Sequence, residues 1–214
     1  EDDPRVLDGI KTLRKINFGE DVDLKGDVGV VGGGNVAVDI ARSSLRKGAK
    51  SVKIIYRRTK NEMPAYAHEI EDAIDEGVEI LILTNPTKII KEKDKLKVEC
   101  IKMELGEPDK SGRRRPIPIE GSEFILELDR LIFGIGQSCD AEGFGVDLNK
   151  RGRVIAEDDT QRTSKKGVFA GGDLVTGPQT VIWAVQGGRL AAKSIDKYLR
   201  GDREIDQKLY PDHE

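Results

Sequence analysis

Apolar positions recur with two different periods along this chain, and the switches between them delimit its elements. In residues 1–24, Val6, Leu7, Ile10, Leu13 and Ile16 fall at helical spacing before a polar Gly19-Glu20-Asp21 stretch, which predicts a short helix and a linker, an approach to the fold more than a domain. A short apolar run then ends at Val30-Val31 and opens through Gly32-Gly33-Gly34 into residues 35–47, where Val36, Ala37, Ile40, Ala41 and Leu45 share one helical face and Gly48 follows as a C-cap. Val52-Lys53-Ile54-Ile55-Tyr56 reads as a second strand, completing a βαβ unit of about 30 residues. Residues 65–76 carry Tyr66, Ile70, Ala73 and Ile74 on one face, Gly77 ends that helix, and Val78–Leu83 extends the parallel sheet to three strands.

After Asn85-Pro86 the period changes to two. Thr87–Lys91 and Lys95–Leu105, on either side of Lys93-Asp94, predict an antiparallel hairpin or meander. Gly106–Glu120 reads as a polar loop holding Arg113-Arg114-Arg115, and Phe124–Leu128 and Leu131–Ile135 resume as strands. Glycines cluster again at Gly134-Ile135-Gly136, Arg153-Val154-Ile155 suggests a hairpin strand, and Gly167–Asp173 is an apolar stretch ending in Gly171-Gly172-Asp173 before a long, partly apolar helix over Gln179–Leu199. Residues 201–214 form a polar tail. The pattern is an α/β chain whose first part is a Rossmann-like three-layer domain with a parallel sheet and a β-meander.

The glycine turn carries the first candidate chemistry. In the G-x-G-x-x-A arrangement Gly32 permits the tight turn, Gly33 continues it, and Gly34 lets backbone approach phosphate; Asn35 and Val36 open the helix, and Ala37 keeps it close to the strand. A helix N-terminus there offers unpaired N–H groups and the positive end of its dipole to a pyrophosphate. The end of the second strand selects the nucleotide: an acidic residue binds a ribose 2′-hydroxyl, whereas arginine accommodates a 2′-phosphate. This chain has Arg57-Arg58, which points to NADP(H), with either arginine able to make the main phosphate contact. Tyr56 and Lys60 match a Tyr-x-x-x-Lys spacing resembling the catalytic pair of short-chain dehydrogenases, but that pair belongs on a helix far downstream of the fingerprint. The Gly172-Asp173 unit places a carboxylate beyond a strand, where it can accept hydrogen bonds from a sugar-like hydroxyl.

Composition removes several alternatives. The net charge of −3, from 36 basic and 39 acidic residues, gives no global bias toward nucleic acid, and the Arg113–Arg115 run reads as a solvated loop. No apolar run reaches the roughly 18 residues of a membrane span and no secretion signal is evident, which makes a cytoplasmic setting the expectation. Cys100 and Cys139 form neither a C-x-x-C pair nor a disulfide framework, and His68 and His213 lack the company of a metal site.

Taken together, Gly32–Asp39, Tyr56-Arg57-Arg58-Thr59 with Met63-Pro64-Ala65, Gly106-Glu107-Pro108-Asp109 with Gly112–Glu120, Gly167–Asp173 and Pro178-Gln179-Thr180-Val181 resemble the small (beta) subunit of glutamate synthase and related flavoproteins over nearly all of residues 5–200. The resemblance implies two dinucleotide-binding domains, the NADPH domain being inserted into the FAD domain. Residues 25–133 would be the NADPH domain and residues 134–200 the C-terminal half of an FAD-binding domain. Gly136, Gly172 and Asp173, together with the backbone at Thr180 and Val181, would contact FAD. The implied reaction is hydride transfer from nicotinamide to flavin with no side-chain acid or base, so no catalytic residue and no metal ligand is expected. Electrons would pass to the glutamate synthase large subunit, another electron-accepting subunit or an iron–sulfur domain; related members of the group that deliver electrons to ferredoxin or to pyrimidine reduction are the alternative within the same resemblance.

The first FAD fingerprint and the iron–sulfur cysteine clusters of the glutamate synthase subunit are absent, and the chain does not start with Met. The expectation is therefore a piece of a longer protein that binds NADP(H), alone holds FAD poorly or not at all, and self-associates through apolar surface on residues 168–199. An NADP(H) sensor without redox turnover, or a purely structural α/β domain, are the competing readings.

Overall fold

The computed structural model describes residues 3–109, 112–136 and 139–201; the expected tail and His213 lie outside them, Gly201 excepted. Contacts divide the chain into two units, Glu1–Gly136 and Gln137–Glu214.

The first unit is built on a five-stranded parallel sheet. Its strands are β1 (Val6–Asp8), β2 (Gly26–Val31), β3 (Ala49–Ile55), β4 (Glu79–Leu81) and β9 (Arg130–Phe133), in the order β1-β9-β2-β3-β4. Helices α1 (Gly9–Asn17), α2 (Asn35–Arg46) and α3 (Ala67–Asp75) cover one face. The other face carries antiparallel strands β5 (Thr84–Lys91), β6 (Leu96–Pro108), β7 (Arg114–Pro118) and β8 (Phe124–Leu128), with β6 pairing all three of the others.

Strand alternation explains why there are two cores. Val28, Val30, Val52, Ile54 and Ile132 point to the helices, where they meet Ala37, Val38, Ile40, Ala41, Ile70 and Ala73. Val31, Ile55 and Leu131 point the other way, onto Leu96, Val98, Cys100 and Leu128 of the meander. The three-layer α/β architecture expected from the periodicity is thus present.

Two stretches differ from their expected form. Val6 and Leu7 fit a helical stripe, yet they pair with Leu131 and Ile132 as an edge strand, so the N-terminal approach is partly sheet. The helix starts only after Asp8, whose carboxylate accepts the Lys11 N–H at 2.8 Å as an N-cap. The expected loop over Gly106–Glu120 is a hairpin: β6 continues to Pro108, and β7 returns beside it with Pro116 and Pro118 at a sheet edge, where a missing N–H is tolerated. Tyr66 and Ile74, expected on the buried face of α3, are 51 % and 43 % exposed, leaving Ile70 and Ala73 as its anchors.

The described part of the second unit contains little regular structure before α4 (Asp173–Thr176) and α5 (Val181–Arg200). The strands expected around Val154 and Phe169 are present only as isolated bridges, Leu148 to Val154 and Arg162 to Phe169. No residue of α5 is buried. Among the described residues no helix is long and apolar enough to cross a membrane.

Candidate nucleotide-binding site

The parallel register pairs Val31 with Ile55, so the glycine turn after β2 and the Tyr56-Arg57-Arg58 segment after β3 leave the sheet at the same edge. That edge is the carboxyl end, where open α/β sheets bind their ligands.

Gly32 is required by its surroundings. Its φ is +143°, and a Cβ there would lie 2.4 Å from the Gly134 carbonyl oxygen. The Gly32 N–H donates to Ile55 O at 3.1 Å and the Gly134 N–H donates to Val31 O at 2.8 Å, which ties the ends of three strands together. Gly134 also lies against Ala37, at 3.1 Å from a built Cβ to the Ala37 Cα. Sequence order alone puts Gly134 at the start of a second unit; in the structure it packs beneath α2, a role that only strand order reveals. Gly33 lies against the Tyr56 ring, and its carbonyl accepts the Ala65 N–H at 3.1 Å.

Gly34 is different. It is the N-cap of α2 in extended conformation, no side chain caps the helix, and the nearest atom to a Cβ built on it is Pro64 Cγ at 3.8 Å. Space therefore lies open beside the positive end of the helix dipole. The Asn35 side chain is engaged elsewhere, accepting the Tyr66 N–H at 2.9 Å. What Asn35 and half-buried Val36 offer is backbone, while Ala37 is fully buried against the sheet.

The two arginines part company. Arg57 is exposed. Arg58 is 5 % exposed: its Nε donates to Arg114 O at 2.7 Å, and its terminal nitrogen makes an ion pair with Asp109 at 2.8 Å. Just downstream, Thr59 and Glu62 form a capping box, and the Tyr56 hydroxyl donates to Glu62 O at 2.7 Å.

In the second unit, a Cβ on Gly171 would lie 2.8 Å from Gly187 O, so the Gly171-Gly172 turn lies directly on α5. Gly172 caps α4 at φ +69°, and the exposed Asp173 accepts the Gln179 N–H at 3.3 Å. Thr180 caps α5 without a side-chain hydrogen bond, and Val181 is 79 % exposed. Gly136, the last residue of the first unit, is exposed with φ +112°.

Charges elsewhere serve the frame. Asp27, near the start of β2, is held below the usual carboxylate range, first by the hydrogen bond from Lys95 and then by Ser51. Glu76 is lowered by Arg42, which joins α2 to α3. Burial pushes the Cys100 thiol up to about 11, as befits a core residue.

Comparison with known proteins shows the family and the fold. The sequence profile described as pyridine nucleotide-disulphide oxidoreductase matches residues 2–188. The chain belongs to that family. The beta subunit of the NADP(+)-dependent formate dehydrogenase of Moorella thermoacetica is 50 % identical over 198 residues, covering 91 % of this chain and 28 % of its own length. The glutamate synthase [NADPH] small chain of Escherichia coli is 37 % identical over 203 residues, covering 88 % of this chain and 43 % of its own. The chain therefore spans well under half the length of these relatives. The structure of Mycobacterium tuberculosis FprA in complex with NADPH superposes with a TM-score of 0.63 at 19 % identity, over 86 % of this chain and 56 % of that one, which shows a shared fold.

Proposed function

We propose that this chain is the NADPH-binding portion of a flavin-dependent oxidoreductase, and that its two units correspond to an NADPH domain and part of an FAD domain. The observation that carries this reading is the conjunction at one sheet edge: an uncapped, open helix N-terminus at Gly34 and an exposed Arg57 at the end of the neighbouring strand. Gly32, Gly33, Gly34, Asn35, Val36 and Ala37 would hold the pyrophosphate through backbone, and Arg57 would bind the 2′-phosphate by charge-assisted hydrogen bonds. In the second unit, the Gly172-Asp173 turn and the free N-terminus of α5 at Thr180-Val181 fit the sugar and ring ends of a flavin nucleotide, with Gly136 at the boundary between units. When bound, the nicotinamide and the flavin would supply the hydride chemistry, and the residues named above would hold each nucleotide.

The electron-transfer partner belongs to the same proposal. A glutamate synthase large subunit or an iron–sulfur domain is one version. The higher identity to the formate dehydrogenase subunit favours a partner that takes electrons from formate over one that makes glutamate, and with that partner the hydride would run the other way, from flavin to NADP+. A cytoplasmic setting accompanies either version.

Calorimetric titration with NADPH and NADH, after a visible spectrum for retained flavin, tests the reading. NADPH should bind with strong preference, and Arg57→Ala should weaken NADPH by about 1.5–3 kcal/mol while sparing NADH. Equal affinity for the two nucleotides would remove the 2′-phosphate assignment.

A further inference from the structure

A cavity of about 230 Å³ opens in the second unit, at the tight turn that leads into the Gly171-Gly172 stretch. The Val168 N–H donates to Lys165 O at 3.0 Å, and the Val168 carbonyl accepts the Thr163 N–H at 3.1 Å and the Thr163 hydroxyl at 2.9 Å. Gly167 takes a φ of +77° at the third position of the turn, and a Cβ there would lie 3.1 Å from the Tyr198 hydroxyl oxygen. Tyr198, near the end of α5, meets the Phe169 ring edge to face with centroids 6.0 Å apart. The turn is thus held by its own hydrogen bonds, with two aromatic rings as a wall of the cavity.

The lining is cationic. Arg162, Lys165 and Lys166 face the cavity, and among the described residues no carboxylate does. Lys165 Nζ donates to Phe144 O at 3.3 Å, which leaves it further N–H groups to donate. Among the described residues the Arg162 guanidinium, the Lys166 ammonium and the Tyr198 hydroxyl have no hydrogen-bond or ion-pair partner. The C-terminal end of α5 carries about half a negative charge, too little to balance three cations. That end is also served already, by the Gly201 N–H on Lys197 O and by the pairing of Arg200 with Asp196 at 2.8 Å. Tyr198 and Val181 lie about 25 Å apart along the helix, so one small ligand cannot reach both the cavity and the free N-terminus of α5.

We propose that this cavity binds a soluble phosphate monoester, its phosphoryl oxygens held by Arg162, Lys165 and Lys166 and its organic group set against the Phe169 and Tyr198 rings. A guanidinium fork matches phosphate geometry, and a dianion offsets more of the three charges than a single carboxylate would. The volume is below the roughly 300–1,000 Å³ of drug-sized sites, which limits the organic group to about one ring. The proposal does not rest on the nucleotide reading of the glycine turn in the first unit.

The test is amide NMR titration of the full 214-residue chain with phenyl phosphate, inorganic phosphate and phthalate. Phenyl phosphate should shift the Thr163–Phe169 and Tyr198 amides saturably, and more tightly than the other two probes. Arg162→Gln and Lys166→Gln should each weaken it about three- to tenfold, and because both side chains are exposed the remaining amide pattern should not change. Lys93→Gln removes the same charge from an exposed turn of the first unit and should leave binding as it was. Shifts that never saturate, or that appear only at Gly32–Val38, overturn the proposal. Equal weakening by Lys93→Gln overturns it too, since net charge would then explain the effect. Inorganic phosphate binding as tightly as the ester would remove the aromatic wall from the site, and tighter binding of phthalate would remove the choice of phosphate; either result overturns the assignment.

Discussion

Both units of this protein set a glycine-rich turn against a helix, Gly32–Gly34 at the start of α2 and Gly171-Gly172 on the side of α5, yet the two helices have opposite fates. Helix α2 buries Ala37, Val38, Ile40, Ala41 and Ser44, and sits between a parallel sheet and solvent. Helix α5 is 20 residues long and buries none, leaving Val181, Ile182, Trp183 and Val185 more than half exposed. Both large hydrophobic clusters lie in the first unit. The difference teaches that the turn is a local device written in a few glycines, whereas stability comes from the layers that close over the helix.

The largest expected effect is on the cores. Ile54→Ala in the first unit should cost about 2–5 kcal/mol in urea unfolding, because it leaves a cavity in a fully buried strand position. Val185→Ala in α5 should change stability by less than about 0.5 kcal/mol. Similar costs at the two sites would break the comparison.

Within the first turn, the glycines should separate by role. Gly32→Ala should destabilise by about 1–3 kcal/mol, since its φ of +143° and the Gly134 oxygen leave no room for a methyl group. Gly34→Ala meets open space, so the thermal midpoint should hold while NADPH binding weakens. Loss of folding in both variants, read by circular dichroism, would contradict the assignment of Gly34 to the ligand.

How much of this was legible beforehand follows from the range of the interactions. The β2–α2–β3 unit was readable because its signals lie within about 30 consecutive residues. The meander was readable up to its turn. Strand β1 was not, because Val6 and Leu7 satisfy helical spacing and are recruited to the sheet by Leu131 and Ile132, far away in sequence. Strand β7 was hidden by prolines that only a sheet edge accommodates. At the site, the Gly32–Ala37 turn was visible, but Gly134 joined it through strand order. The two arginines looked equivalent because the burial of Arg58 depends on Asp109, 51 residues downstream.

Smaller effects should follow from the exposed helix and from the frame charges. Trp183→Glu in α5 should shift sedimentation toward monomer without moving the unfolding midpoint; unchanged self-association would place the sticky surface elsewhere. Asp27 and Glu76 have carboxylates held below their ordinary range in the folded state. Their contribution is complete above the unfolded carboxylate values and is lost as pH falls through the folded ones, so acid should destabilise the first unit below about pH 4. Asp27→Asn should flatten that acid slope; an unchanged slope would assign it to other carboxylates.

Hydrogen exchange with and without NADPH tests the central claim most directly, because it reads the two units separately in one experiment. Binding should protect the turn at Gly32–Val38 and the segment at Tyr56–Glu62, and leave α5 unchanged. Protection concentrated in α5, with none at the glycine turn, would contradict the assignment of nucleotide binding to the first unit.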